Sequence, residues 1–275
     1  TEYRYFCILM NDLNITLIQS HLEWEERDTN LDSLSKMISQ SEPNSDLIIL
    51  PEMFATGFTM NVATCAEKMD GKAVSWLKDK AAETNAVVAG SLLIRENNKF
   101  YNRFLWMRPD GSFDYYDKRH LFRMAKEHET MTMGQQIKIV ELKGWKINLQ
   151  VCYDLRFPVW SHNRFTNGKY NYDMLIYVSN WPEVRNQAYK ALLPARAIEN
   201  QAWVAWVNRV GEDGNGIPHS GDSAVYDPYG KVHVVAREGH DEVVHTSVHG
   251  DLLPRFREMF QVGQVSDEFS VHDKI

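Results

Sequence analysis

Cysteine is scarce in this sequence: Cys7, Cys65 and Cys152 are the three among 275 residues, and no CxxC pair occurs. A small odd set with that spacing argues against a disulfide scaffold and against a cysteine-ligated zinc site, and points to a reducing, cytoplasmic setting. No apolar run approaches the roughly 18 residues that a membrane span needs, so no membrane partner is expected. The stretch Tyr5–Met10 is too short for the apolar centre of a signal peptide and lacks a small-residue cleavage site. Positive charge is in short supply as well. Thirty Lys and Arg stand against 37 Asp and Glu, a net charge of -7, which removes the electrostatic reason to expect a nucleic-acid partner. No linker rich in Pro, Gly or Ser divides the chain, and no repeat or low-complexity tract is visible, so one domain is expected.

What is present is an alternation of buried-strand and helix patterns. Asn14–Gln19 reads as a strand, and Asn30 reads as the cap of a helix with Leu31, Leu34, Met37 and Ile38 on one face. Asp46–Leu50 is a continuous apolar run of the kind buried on both faces, and it ends at Pro51-Glu52. A helix around Ala73–Thr84 then precedes a strand over Ala86–Leu93. Phe100–Met107 and Phe113–Asp117 flank Pro109-Asp110-Gly111 and read as a hairpin. Further strands are expected at Trp145–Val151, Asp173–Val178, Ala202–Val207 and Ser223–Tyr226. A helix is expected from about Val184 to Asn200, kinked at Pro194. The tail from Pro254 has weak periodicity. This order argues for a layered α/β fold, in which active sites form just past strand C-termini. Glu52, Cys152 and Asn180-Trp181 occupy such positions.

Each candidate is ambiguous alone. Cys152 sits on a strand-to-helix turn, where backbone N–H groups can favour a thiolate, but a lone cysteine reads more readily as buried and structural. Glu52 breaks the apolar logic of its strand. A partly desolvated carboxylate there suits general-base work, or equally a cap or salt bridge. Lys118, between Tyr115-Tyr116 and Leu121-Phe122, suits an oxyanion, although a lone lysine at a hairpin end is more often a solvated charge. His245 and His249 have HxxxH spacing without a suitable third ligand, and Gly211–Gly216 is not a GxGxxG turn, so neither a metal nor a dinucleotide is indicated. No histidine pairs with a cysteine in sequence, which raises interest in Glu52 as the base.

Three blocks join these residues: Leu50-Pro51-Glu52-Met53-Phe54, Tyr116–Phe122 and Val151–Pro158. With Ala195–Gln201 and Gly221-Asp222-Ser223, they resemble in order the Glu, Lys and Cys blocks of the carbon–nitrogen hydrolase (nitrilase) superfamily. The resemblance covers roughly Leu13 to Phe269. It is greatest to the bacterial omega-amidases, through Pro51–Phe58, Asp117–Ala125 and Ser179-Asn180-Trp181-Pro182. It implies a single-domain, four-layer α-β-β-α sandwich over residues 13–275, with residues 1–12 as an N-terminal extension, pairing as a homodimer.

It also implies hydrolysis of the terminal amide of a 2-oxo acid, 2-oxoglutaramate or 2-oxosuccinamate, through a cysteine thioester and with no metal or organic cofactor. Glu52, Lys118 and Cys152 take the catalytic positions. Glu127, seven residues before Gly134, takes the place of a supporting glutamate, although Lys126–Glu129 also reads as a solvated helix face. The Tyr153 backbone N–H would join Lys118 at the oxyanion. Phe58 and Trp181 are candidates for an apolar substrate wall or equally for plain packing, and Arg123 and Arg185, near the motif blocks, for a carboxylate partner, although each reads more readily as a surface or structural arginine. Another superfamily amidase, such as an N-carbamoyl amino acid hydrolase or aliphatic amidase, and a non-catalytic binding protein are the alternatives.

Overall fold

The computed structural model describes residues 10–271, so Cys7 and most of the expected 1–12 extension lie outside the described residues. Two six-stranded sheets dominate. The first runs from edge to edge as Glu242–Val248, Leu13–Gln19, Leu47–Ile49, Val87–Glu96, Lys99–Met107 and Phe113–Asp117. The second runs as Val232–Val235, Ala224–Tyr226, Trp203–Asn208, Met174–Ser179, Trp145–Val151 and Lys138–Leu142. Each has three parallel strands at its centre and antiparallel strands outside.

The two-residue side-chain period of a strand sorts each face. In the first sheet Ile15, Leu17, Leu47, Ile49, Ala89, Phe104 and Trp106 join one core with the second sheet. Their neighbours Ile18, Ile48, Leu50, Val88 and Leu105 face the helices Arg27–Ile38 and Lys72–Thr84 instead. The helix Asn186–Asn200 covers the far side of the second sheet through Tyr189, Leu193 and Ala197. The result is the expected α-β-β-α layering.

Three local expectations are corrected. Asn30 does not cap its helix, which begins at Arg27. Its buried amide instead donates to the carbonyls of Glu23 and Ala55 and accepts from the Glu23 N–H; a loop-tying bond outweighs its capping preference. The strand after Asp46 is only Leu47–Ile49, because Leu50 already turns toward Pro51. The weakly periodic tail contains a helix, Leu252–Met259. Tertiary contacts fix it: Arg257 donates to the Asp173 carboxylate at 2.7 Å and to the carbonyls of Tyr172 and Gln201. The hairpin and the helix through Pro194 form as expected. Among the described residues no helix is long and apolar enough to cross a membrane.

Candidate active site

Strands of both sheets deliver polar residues to one end of the sandwich. Glu52 lies just past Leu47–Ile49, Lys118 follows Phe113–Asp117, and Cys152 follows Trp145–Val151. The structure brings them together. Lys118 Nζ donates to Glu52 Oε1 at 2.8 Å and to Glu127 Oε1 at 3.1 Å. The Cys152 thiol lies within electrostatic reach of the Glu52 carboxylate and the Lys118 ammonium. Glu127 is no solvated helix face: like Glu52, it is 0% exposed. Its Oε2 accepts the Phe122 backbone N–H at 2.5 Å.

Segments from both sheets hold this cluster in register. Asn180, past the strand Met174–Ser179, donates its backbone N–H to Glu52 Oε2 at 2.8 Å and its side-chain amide to the Glu52 carbonyl. Asp154 couples the cysteine turn to the lysine segment. Its carboxylate accepts from the Val151 N–H, the Tyr116 hydroxyl and the His120 N–H at 2.8–3.0 Å. Gly134 donates its N–H to the Lys118 carbonyl, and a Cβ there would sit 2.0 Å from the Asp117 carbonyl oxygen, so only glycine permits that approach. Cys152 itself has φ +45°, a strained value for a non-glycine residue, and the turn Cys152–Arg156 starts at it.

The electrostatics follow from burial. Burial pushes the Cys152 thiol far above its ordinary range, and the Glu52 carboxylate pushes it further against the pull of Lys118. The resting sulfur is therefore a thiol that needs a base. Burial alone would lower the Lys118 ammonium, but Glu127 and Glu52 outweigh it and keep the lysine charged. Burial raises the Glu127 carboxyl against the pull of Lys118, and Glu52 adds to the rise.

Above this floor lies a cavity of about 410 Å³. Cys152, Lys118 and Tyr153 open into it, and Phe58, Phe122, Trp181, Arg156 and Arg185 form its sides. Phe58 and Trp181 thus reach the cavity, with Lys118 Nζ 4.9 Å from the Phe58 ring centre. Arg185 lines it, its guanidinium 5.3 Å from the Phe122 ring centre, whereas Arg123 is exposed and does not. Arg156, which sequence reasoning passed over within its own cysteine block, lies 4.9 Å from the Trp181 ring centre. Among the described residues neither Arg156 nor Arg185 pairs with a carboxylate.

The loop between the short strands Val210–Glu212 and Pro218–Ser220 also reaches the cavity through Asp213, Asn215 and Ile217. The glycine-rich stretch read as a turn is therefore part of the cavity wall. His245 bonds Thr16, His249 bonds Asp12, and no group of three His, Cys, Asp or Glu among the described residues is placed to hold a metal.

Comparison with known proteins gives one direction. The sequence model of the family described as Carbon-nitrogen hydrolase matches residues 14–255. The chain is 42% identical over 260 residues to Omega-amidase YafV of Yersinia enterocolitica, covering 94% of this chain and 99% of the relative. It is 32% identical to 2-oxoglutaramate amidase of Bacillus subtilis, over 83% and 87% of the two chains. A solved carbon–nitrogen hydrolase superfamily protein of Xanthomonas campestris, with an arsenic adduct in its active site, superposes with TM-score 0.93 at 44% identity. The match covers 96% of this chain and 100% of that one.

Proposed function

Since the chain belongs to the carbon–nitrogen hydrolase family, we propose that it is an amidase that hydrolyses the terminal amide of a 2-oxo acid, 2-oxoglutaramate foremost. The names of its relatives point to that substrate class. The observation that carries the chemistry is a buried cysteine opening into the cavity over a buried carboxylate that Lys118 holds at 2.8 Å. An amide is a poor electrophile with a poor leaving group, so splitting the reaction through a covalent intermediate makes each half easier.

In the proposed sequence Cys152 Sγ attacks the amide carbon as its proton passes to Glu52. The oxyanion forms between Lys118 Nζ and the Tyr153 N–H. Each such donor supplies about 3 kcal/mol to the transition state where comparable donors have been removed. The C–N bond breaks as Glu52 returns the proton to the departing ammonia, leaving a thioester on Cys152. Glu52 then takes a proton from water. The hydroxide adds to the thioester, and collapse releases the carboxylic acid while the thiol is restored. Glu127 also accepts from Lys118 and helps to keep it charged.

The 2-oxo acid brings a carboxylate at its far end. Arg156 and Arg185 are cavity cations that make no ion pair among the described residues, and they suit it; guanidinium forks bind carboxylates well. The nearby Asp213 carboxylate is engaged by the N–H groups of Asn215 and Ile217. Phe58 and Trp181 form the apolar wall between the two ends. Pairing with a second copy belongs to the same proposal and is checked by a solution mass near twice 31.9 kDa.

Ammonia release from 2-oxoglutaramate, 2-oxosuccinamate, glutamine, asparagine and N-carbamoyl amino acids tests the reading. The expected result is turnover of the 2-oxo amides well above the others. Equal rates on glutamine would discard the 2-oxo requirement.

A further inference from the structure

Asn102 has not entered the mechanism, yet it is buried at the centre of the charged cluster. It lies in the strand Lys99–Met107 with its side chain between two carboxylates. Its Nδ2 donates to Glu52 Oε1 at 2.7 Å and to Glu127 Oε1 at 3.3 Å. Lys118 Nζ reaches the same two oxygens. The Asn102 backbone carbonyl also accepts the Lys118 backbone N–H at 2.9 Å, so one residue bonds both carboxylates and the main chain of the lysine. With those groups ionised the cluster is one negative charge in excess, and the amide is the neutral side chain that shares in it.

We propose that Asn102 is a positioning residue that decides which oxygen of Glu52 carries the proton. The inference rests on the reading of Glu52 as the proton carrier. A carboxylate oxygen accepts about two hydrogen bonds. Glu52 Oε1 is filled by Asn102 and Lys118, whereas Oε2 receives the Asn180 N–H. Oε2 therefore has the spare lone pair and exchanges the proton with the Cys152 thiol and, later, with ammonia and water.

A second observation shows that the amide is held there for its donor. Asn102 Oδ1 is buried without a hydrogen-bond partner among the described residues. An unpartnered buried acceptor is a cost that an apolar side chain would avoid.

The test compares the full-length protein with Asn102→Leu and Asn102→Asp. In Asn102→Leu, kcat on the amide turned over by the parent falls about 10²-fold, the low end for a general acid–base contribution, while KM stays within about threefold. Alkylation of Cys152 by iodoacetamide slows with it, because the thiol proton leaves by the same oxygen. In Asn102→Asp a third carboxyl faces Glu52 and Glu127 and donates only while protonated. Its relative activity is therefore retained at acid pH and lost as pH rises, a profile that a merely structural residue would not produce.

A folded Asn102→Leu protein with parental kcat and alkylation rate overturns the proposal, as does a parental pH profile in Asn102→Asp. If Asn102→Leu does not fold, the Asn102→Asp profile decides. If the parent protein hydrolyses no amide, the functional reading fails by itself, and the alkylation rates still decide the role of Asn102.

Discussion

The floor and the mouth of the cavity are built on opposite plans. At the floor, Glu52, Glu127, Asn102 and Lys118 are almost wholly buried and each is fixed by two or more partners, with Asn180 tying Glu52 to the second sheet. At the mouth, Arg156 and Arg185 are exposed or half-buried, rest on aromatic faces, and make no ion pair among the described residues. A group fixed by several bonds has one geometry, which proton transfer and oxyanion support require. A cation resting on a ring is free to meet a ligand. The floor is thus suited to the common bond-breaking step and the mouth to choosing the acyl group.

Removal of the nucleophile breaks the comparison most severely. Cys152→Ala takes away the thiol at the floor, and ammonia release should fall to background. The fold should survive, because the bonds of Asp154 to Val151, Tyr116 and His120 do not involve the sulfur; melting should shift by no more than about 4 °C, the equivalent of about 1 kcal/mol. Measurable wild-type turnover in that variant would refute the covalent scheme. Glu127→Gln comes next. It keeps the shape but leaves Lys118 to Glu52 alone, so kcat should drop about 10²–10³-fold with KM little changed. A change confined to KM would move Glu127 from the floor to substrate binding.

At the mouth the effects should be smaller and selective. Arg185→Met and Arg156→Met should each lower kcat/KM for a carboxylate-bearing amide by about 10-fold, the size of one lost charge-assisted hydrogen bond. A neutral amide of similar length should lose much less. Equal losses on both substrates would show that the arginines hold the mouth together rather than select its ligand.

The same division explains what the sequence revealed. Glu52, Lys118 and Cys152 were legible because each follows a strand directly and sits in a motif of several residues. Asn102 was not, because it sits in an ordinary hairpin strand, and its importance appears only when the sheets stack and place it between two carboxylates. Asn180 was legible as a position past a strand, but its bonds to Glu52 span 128 residues and have no local pattern. Arg156 lay inside the cysteine motif and was overlooked, while Arg123, close to the lysine motif, turned outward. Proximity in sequence sets which loop a side chain belongs to; the short turns after Lys118 and Cys152 set where it points. The layering was legible because apolar periodicity is local, and the helix Leu252–Met259 was not because Arg257 fixes it through distant carbonyls and Asp173.

The smallest effect concerns stability at the mouth. His219 lines the cavity beside the 213–217 loop, and burial, with the Arg209 charge adding, lowers its pKa from 6.5 to about 4. The folded protein therefore keeps His219 neutral where the unfolded chain takes up a proton. Stability is unaffected above about pH 6.5, falls as pH drops from there toward about 4, and loses no more from this group below that. At about 1.4 kcal/mol per pH unit, the cost at pH 5 is about 2 kcal/mol. Urea unfolding of the parent and of His219→Gln at pH 7.5 and 5 measures it: the parent should lose about 2 kcal/mol more between the two conditions than the variant. A matching acid loss that persists in His219→Gln would place the sensitive group elsewhere and remove the mouth as the weaker of the two regions.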